Sequence, residues 1–203
     1  MERILLNDNW VFYHQDNPRI KEIVRLPHAN VTTPFNYFDD ADYQFVSVYE
    51  NTFEVTDKLK DKLLFLTFEG AAHRAEVYVN NKLVTTHQNG YTAFSCDVSK
   101  VSKLGENKVR VVLDSRESLN VPPFGHVIDY MTYGGLYREA YIDVKDETYI
   151  EDVFVKTINA IGAKKTIEFE LTLNGDLKNS ELEIEVLDGD KVVAKTDKTH
   201  AIT

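Results

Sequence analysis

The chain has 203 residues, of which 43% are hydrophobic, and it contains only 9 glycines and 5 prolines. This composition predicts a globular protein with a packed core and excludes a long linker. The 33 acidic residues outnumber the 23 Lys and Arg residues, so the formal net charge is -10. Because acidic surfaces repel phosphate backbones and anionic lipids, nucleic acid and membranes are not expected as partners.

The amino-terminal residues and the cysteine content bear on the cellular compartment. The start, MERILLNDNWVFYHQDN, has an apolar run only from Ile4 to Leu6, so it lacks the hydrophobic core of a secretory signal. Cys96 is the only cysteine, which excludes an internal disulfide and, together with the missing signal, favours the cytoplasm. Its period-two spacing from Phe94 and Val98 predicts a small core residue rather than a reactive thiol.

Short β-strands are predicted through the first two thirds of the chain, where no helical period persists over ten positions. The strands at 62–68, 75–79, 108–113 and 136–144 are rich in branched and aromatic residues and are bounded by Gly, Asn or Asp. Asn80-Asn81 predicts a two-residue hairpin turn, since Asn tolerates the left-handed conformation that this turn requires. Many short strands joined by turns predict a sandwich or barrel.

The stretch GHVIDYMTYGGLYREAYI at 125–142 changes character in its middle. Gly134-Gly135 predicts a sharp turn or a close backbone approach, and the alternation after it predicts a strand. Arg138 is expected on the apolar face of this strand, where a structural ion pair within the domain is favoured over a pair with an acid of another domain. Asp129 therefore lies on a loop whose far end is fixed by a sheet. Such loops often carry binding groups, although the stretch alone also allows a solvated or turn-capping acid.

From about residue 147 the strands become half apolar. Four are predicted, at 149–157, 166–173, 181–187 and 191–196, and the second and third have apolar residues on one face and Glu or Thr on the other. An immunoglobulin-like sandwich has about seven strands. We therefore expect residues 147–203 to be an incomplete domain, or to have their apolar face covered by a partner such as another copy of the chain.

Other residues of chemical interest predict no site. The histidines show neither HxH nor HExxH spacing, so a zinc site is not expected, and no phosphate-loop motif is present, so no cofactor is expected. His28 is expected to make a local hydrogen bond. Asp39, Asp40 and Asp42 are interpreted as a solvated turn, because the ligand pattern of a cation loop is missing.

Five stretches, taken in order, fit one known family together. They are LPHANV at 26–31, YENTFEV at 49–55, FEGAAHRAEVYVNNKLVTTHQNGYTAFSCDVS at 68–99, LGENKVRVVL at 104–113 and YGGLYREAYI at 133–142. Together they resemble the amino-terminal region of family 2 glycoside hydrolases, which include β-galactosidases, β-glucuronidases and β-mannosidases. The resemblance implies an all-β chain: a galactose-binding-type jelly roll at 1–146, then an incomplete immunoglobulin-like β-sandwich at 147–203. The family's (β/α)8 barrel, which carries the catalytic acids, is absent from this sequence.

The resemblance also implies roles for two residues. In the β-galactosidase and β-glucuronidase branches, an Asp six residues before the Gly of a Gly-(Ile/Leu)-aromatic-Arg-like ending binds hydroxyls of the terminal sugar, and Asp129 stands six before Gly135. Asn30, in ANVTTP, looks like a second such contact. The resemblance implies no catalytic residue, metal or cofactor in this chain. The implied partners are a terminal β-linked sugar and the catalytic barrel, and a homo-oligomer is compatible with them.

Three positions depart from the family pattern. Met131 stands where several relatives have an aromatic residue, the hairpin often written Asn-Gly is Asn-Asn, and the LPHDW motif appears as LPHAN. The expected function is the noncatalytic amino-terminal part of a retaining β-glycosidase, with a galactoside as the expected substrate and a glucuronide or mannoside left open. Two alternatives remain: a stand-alone lectin-like carbohydrate-binding module, and a structural tandem of β-sandwiches that associates with another protein.

Overall fold

The computed structural model describes residues 2–37, 39–122, 124, 131–178, 180–196 and 199–200. The chain divides into two compact units, Met1–Lys145 and Asp146–Thr203. Within the described ranges the structure confirms the all-β prediction, since the only helix there is a short 3-10 turn at Asp40–Asp42. No helix in this part of the chain has the length and apolar character needed to span a bilayer.

Two antiparallel sheets build the first unit. The strand order is β1-β10-β5-β8 in one sheet and β3-β2-β4-β9-β6-β7 in the other. The strands are β1 Glu2–Leu5, β2 Trp10–His14, β3 Glu22–Val24, β4 Val46–Val55, β5 Leu63–Phe68, β6 Arg74–Val79, β7 Lys82–His87, β8 Phe94–Asp97, β9 Gly105–Asp114 and β10 Ala140–Lys145.

The hydrophobic core of the first unit draws on both sheets. In β9, Val109, Val111 and Leu113 are buried at every second position, because alternate residues of a strand point to the same face. Trp10 of the six-stranded sheet is fully buried, and its ring centroid lies 6.3 Å from that of Phe68 in the four-stranded sheet. Burying one large aliphatic or aromatic side chain contributes about 1.5 to 3 kcal/mol, so this shared core is the main stabilising feature of the unit.

Two local predictions are confirmed in this unit. Asn80 and Asn81 join β6 to β7 with φ angles of 49° and 65°, the left-handed conformation expected for the hairpin turn. Cys96 is buried in the core, and burial raises the pKa of its thiol to about 12. A thiol protonated at neutral pH has the structural role that its spacing predicted.

The last strand of the first unit is shorter than predicted. β10 begins at Ala140 rather than at residue 136, so residues 136–139 lie outside the sheet ladder. The prediction that Arg138 lies on an apolar face is wrong: its side chain is exposed, and its guanidinium carbon lies 5.8 Å from the ring centroid of Tyr137. Side chains alternate between two faces only within a strand, so the period-two pattern did not apply to this residue.

The second unit contains the predicted strands, with the third divided in two between Leu182 and Glu185. Three two-stranded sheets form, β11-β12, β13-β16 and β14-β15. The strands are β11 Tyr149–Ile158, β12 Thr166–Asn174, β13 Glu181–Leu182, β14 Glu185–Asp188, β15 Lys191–Lys195 and β16 Thr199–His200. None of the side chains that the structure describes in this unit is buried. The immunoglobulin-like character of this unit stays a prediction.

Candidate functional site

The segment after the Asp129 loop is held by hydrogen bonds from two sides. The backbone N–H of Asn30 donates to the Gly134 carbonyl at 3.0 Å, and that of His28 donates to the Leu136 carbonyl at 2.8 Å. On the other side the N–H of Ala72 donates to the Gly135 carbonyl at 3.1 Å. The chain is therefore fixed by long-range backbone contacts where it leaves the loop.

The glycine pair makes this close packing possible. Gly135 has a φ of +117°, and a Cβ on it would lie 2.4 Å from the carbonyl oxygen of His28. A Cβ on Gly134 would lie 2.2 Å from the Ser115 hydroxyl oxygen and 2.5 Å from the side-chain nitrogen of Asn30. Such distances exclude any larger side chain, which confirms the predicted close backbone approach.

Asn30 is buried beside this segment. Its side chain is 4% exposed, and its amide nitrogen donates to the Tyr43 carbonyl at 2.9 Å. Its side-chain oxygen is buried and has no hydrogen-bond partner among the described residues. An unpaired buried acceptor is costly, and this oxygen is shielded from solvent in the described structure. The role of Asn30 in sugar binding stays a prediction.

The acidic turn before Tyr43 is structural. The Asp39 carboxylate accepts from the Ala41 N–H at 2.9 Å, and the Asp42 carboxylate accepts from the Asp39 N–H at 2.9 Å, which together form a capping box. Within the described ranges, no group of three His, Cys, Asp or Glu side chains is placed to hold a metal ion. The interpretation of these acids as a turn is confirmed, and the turn ends at the residue whose carbonyl holds Asn30.

His28 also makes the local contact that was expected of it. Its Nδ1 atom lies 2.9 Å from the hydroxyl oxygen of Tyr49, and its ring packs edge-on against Phe12 at a centroid distance of 4.9 Å. Burial lowers the pKa of His28, although Glu22 opposes this shift. The side chain of His28 therefore fixes the start of the Asn30 segment against the six-stranded sheet.

A pocket of about 240 Å³ opens beside residues 131–133. Aromatic and aliphatic side chains dominate its described lining, which consists of Ala72, His73, Tyr91, Met131, Thr132, Tyr133 and Tyr137. Met131, which departs from the family pattern, thus contributes to the wall of a cavity. Three distant segments of the chain meet at this pocket.

His73 is the pocket residue that the sequence analysis missed. It is 2% exposed, and neither ring nitrogen has a hydrogen-bond partner among the described residues. Burial lowers the pKa of His73; Glu117 and Asp114 oppose the shift and Arg74 adds to it. The ring is therefore neutral at pH 7. A histidine without ligand spacing is usually a satisfied core residue, so no sequence signal marked it.

The charged groups near the pocket are paired with one another. Asp114 contacts Arg74 and Arg116, each at 2.8 Å. Burial raises the pKa of Asp114, but its hydrogen bonds and charge interactions with the two arginines outweigh burial and hold that pKa below its ordinary value. The Glu117 carboxylate accepts a hydrogen bond from the Thr132 hydroxyl. Asp114, Arg74 and Arg116 are therefore ion-paired, whereas the Glu117 carboxylate is bonded to a neutral hydroxyl.

Asp129 lies outside the described residues, so its predicted contact with a sugar stays a prediction. Only Tyr130 stands between Asp129 and Met131 in the sequence. The backbone N–H of Asn30 donates to the carbonyl of Gly134, which follows Asp129 by five positions in the sequence.

A comparison with known families identifies this sandwich. Residues 24–145 match the family described as glycosyl hydrolases family 2, sugar binding domain. The chain belongs to this family. The match extends from the last residue of β3 to the end of the first unit, and it includes Asn30 and the Gly134-Gly135 pair.

Individual relatives agree with the family 2 assignment. The chain is 37% identical to a β-galactosidase of Thermoanaerobacter pseudethanolicus, over 97% of this chain and 28% of that protein. It is 31% identical to a β-glucuronidase of Bacteroides fragilis, over 96% of this chain and 29% of that protein. The chain thus spans less than a third of the length of these curated relatives.

Solved structures share the fold of this family 2 chain. A Ruminococcus gnavus β-glucuronidase in complex with D-glucuronic acid superposes with a TM-score of 0.84, over 98% of this chain and 38% of that chain. A β-glucuronidase from an uncultured Clostridium sp. superposes with a TM-score of 0.79. The sequence identities are 21% and 24%, so these likenesses show the fold alone.

Proposed function

We propose that the chain is the noncatalytic amino-terminal part of a retaining β-glycosidase, and that the whole enzyme is a β-galactosidase. Two relatives support the galactoside: β-galactosidases of Thermoanaerobacter pseudethanolicus and Thermoanaerobacterium thermosulfurigenes are 37% and 34% identical to the chain, against 31% for the Bacteroides fragilis β-glucuronidase. Retaining hydrolysis uses one carboxylate as nucleophile and another as general acid and base, about 5 Å apart. Both belong to a catalytic barrel elsewhere in the longer enzyme.

In this proposal the first unit supplies Asp129 and Asn30 to the terminal sugar. A carboxylate accepts hydrogen bonds from two neighbouring hydroxyls, and an amide both donates to and accepts from one. The observation that carries the proposal is the hydrogen bond between Asn30 and Gly134. This bond joins Asn30, one predicted sugar contact, to the segment that follows Asp129, the other predicted contact, along the chain.

Replacing Asp129 in the longer enzyme tests this role. Charge-assisted hydrogen bonds are worth about 1.5 to 3 kcal/mol, so Asp129→Ala should lower kcat/KM by about 10- to 150-fold. Asp57→Ala is the matched control, because Asp57 is an exposed acid outside the site. Near wild-type kcat/KM in Asp129→Ala would show that the acid does not contact the sugar, and a lowered unfolding midpoint by circular dichroism would then assign it to the fold.

Asn30→Ala should reduce kcat/KM less than Asp129→Ala, since the hydrogen bonds of an amide are neutral. It should also lower the unfolding midpoint, because Asn30 is buried and its side chain holds the Tyr43 carbonyl. Urea unfolding beside the kinetics separates these two effects. A loss of stability without any change in KM or kcat would assign Asn30 to the fold alone.

The 203-residue chain itself should have no glycosidase activity, since both catalytic carboxylates belong to the barrel. With only part of the pocket it should bind galactose at a Kd of about 1 mM or weaker, as a few hydrogen bonds allow. Turnover of a nitrophenyl β-galactoside by the rigorously purified chain would contradict the proposal. Micromolar binding of galactose by isothermal titration calorimetry would favour the lectin-like alternative.

A further inference from the structure

The sequence contains two Asn-Gly steps, Asn89-Gly90 and Asn174-Gly175. In such a step the backbone nitrogen of the glycine can attack the side-chain carbonyl carbon of the asparagine, because glycine has no side chain to hinder the approach. The reaction also needs an asparagine side chain that is free and a backbone that can rotate into the attacking geometry. The local structure therefore decides which of the two steps reacts.

The first step is held in place by the packed first unit. The side-chain oxygen of Asn89 accepts a hydrogen bond from the Tyr91 N–H at 3.0 Å. Gly90 is buried, its carbonyl accepts a hydrogen bond from the Tyr137 hydroxyl, and a Cβ on it would lie 3.0 Å from Nδ1 of His73. Rotation of this backbone requires the first unit to open, and global unfolding typically costs about 5 to 15 kcal/mol.

The second step lies at an exposed strand end. Asn174 is the last residue of β12, and both Asn174 and Gly175 are exposed. Among the described residues, neither the side chain of Asn174 nor the backbone N–H of Gly175 has a hydrogen-bond partner. No described side chain of the second unit is buried, so local opening of this strand end costs little free energy. Asn174 thus meets both requirements of the reaction.

We propose that Asn174, rather than Asn89, is the site at which the folded chain deamidates. The nitrogen of Gly175 forms a bond to the side-chain carbonyl carbon of Asn174, and the side-chain nitrogen leaves with a proton as ammonia. One water molecule then opens the resulting succinimide ring to aspartate or to isoaspartate, in which the backbone runs through the side chain. Either product adds a carboxylate, so the formal net charge of -10 becomes more negative by one.

Isoaspartate at residue 174 would disturb a close backbone contact. A Cβ on Gly175 would lie 2.3 Å from the Glu147 carbonyl oxygen and 2.8 Å from the Cα of Thr148, so the two segments are in tight contact. The Thr148 hydroxyl also donates to the Asp176 carbonyl at 3.2 Å. Isoaspartate lengthens the backbone by one atom beside these contacts. We therefore expect the modification to loosen this end of the β11–β12 ladder.

Digestion with trypsin separates the two steps, because Asn174 lies on the peptide 166–178 and Asn89 on the peptide 83–100. The folded 203-residue chain is incubated at mildly alkaline pH, and mass spectrometry follows the gain of one mass unit in each peptide. A zero-time sample corrects for deamidation during digestion. Asn174 should react at least about tenfold faster than Asn89, since only Asn89 requires the first unit to open.

The same incubation in concentrated urea is the first control. Without the fold both steps should react at rates within about twofold of each other, since glycine follows each asparagine. Asn174→Gln is the matched variant, because the longer side chain would have to close a six-membered ring, which forms far more slowly. The peptide 166–178 contains no other asparagine, so its mass gain should disappear in this variant while that of 83–100 is unchanged.

Three results would overturn the inference. They are a smaller ratio of the two rates in the folded chain, the same ratio in the folded chain and in urea, and a mass gain of 166–178 that persists in Asn174→Gln. Anion exchange then separates the modified chain, which carries the added carboxylate, from the unmodified chain. Amides of β11 should exchange faster in the modified chain, and equal exchange rates would overturn the expected loosening of the ladder.

Discussion

The two compact units of the chain contain similar alternating strands but bury their apolar residues to very different extents. Among the residues that the structure describes, every buried hydrophobic one lies between Leu6 and Val144, and no side chain from Asp146 onward is buried. Leu66 is 0% exposed, and Leu187 is 57% exposed. Alternation therefore predicts that a strand forms and which face is apolar. Burial requires a second layer to cover that face.

The sheets of the two units account for this difference. The first unit packs four strands and six strands around one core. The second has three two-stranded sheets, and apolar side chains such as Phe154, Val155 and Ile167 remain exposed. Exposed apolar faces of this kind mark surfaces that associate with other protein. The second unit is thus expected to depend on a covering surface for its stability, and the first is not.

Amide hydrogen exchange should give the largest contrast. Amides of β4 and β9, in the centre of a six-stranded sheet, should exchange only through global unfolding, which typically costs about 5 to 15 kcal/mol. Amides of β11 and β12 should exchange by local opening, faster by about a thousandfold or more. Mass spectrometry of exchanged peptides measures both. Uniformly slow amide exchange in a chain proven to be monomeric would contradict the expected difference between the two units.

A matched pair of leucine substitutions should give the next largest effect. Leu66→Ala removes a fully buried side chain and should destabilise the first unit by about 2 to 5 kcal/mol. Leu187→Ala removes an exposed one and should change stability by less than about 0.5 kcal/mol. Trp10 is the only tryptophan and belongs to the first core, so its fluorescence during urea unfolding reports on that unit. Equal shifts of the urea midpoint in the two variants would contradict the expected difference in burial energy between Leu66 and Leu187.

Acid should destabilise the first unit through buried His73 and half-buried His28. The pKa of His73 is lowered below its ordinary value of 6.5, so the unfolded chain binds the proton first as the pH falls through that value. Stability is therefore present above pH 6.5 and is lost below it, with a slope of at most about 1.4 kcal/mol per pH unit for each proton. The lowered pKa of His28 acts in the same direction, whereas that of Asp114 acts only at more acidic pH.

The urea midpoint of Trp10 fluorescence, measured from pH 7.5 to 5, checks this dependence. His73→Gln should flatten the slope, and His14→Gln is the control because His14 is exposed. A slope that is the same in wild type and His73→Gln would show that His73 takes up its proton without unfolding.

Local patterns predicted the strands and turns of this chain better than they predicted its site. The β6–β7 hairpin follows from Asn80-Asn81 and the flanking alternation alone. The late start of β10 does not, because the carbonyls of residues 134–136 are taken by His28, Asn30 and Ala72, which are distant in the sequence. The pocket around His73 was hidden for the same reason, since it forms only where three separate segments meet. The resemblance supplied Asp129 and Asn30, which no local rule singles out.

The smallest expected effect concerns the hairpin turn of the first unit, and it tests whether turn chemistry adds to the stability of the core. Asn81 is exposed and has a φ of 65°, a conformation that Gly adopts without steric cost. Asn81→Gly should therefore stabilise the unit, but only by about 0.5 kcal/mol or less, because Gly also loses more conformational freedom on folding. Asn81→Ala should destabilise it by about 1 kcal/mol, since Ala lacks the local hydrogen bond that helps Asn in this conformation.

Asn80 is unsuitable for this test, because its side chain donates to the Val101 carbonyl at 3.0 Å and to the Asn107 side chain at 2.8 Å. The Trp10 urea midpoint should shift in opposite directions for the two Asn81 variants. If both shift in the same direction, the conformation at residue 81 does not limit stability. The core between the two sheets would then account for the difference between the units without a contribution from this turn.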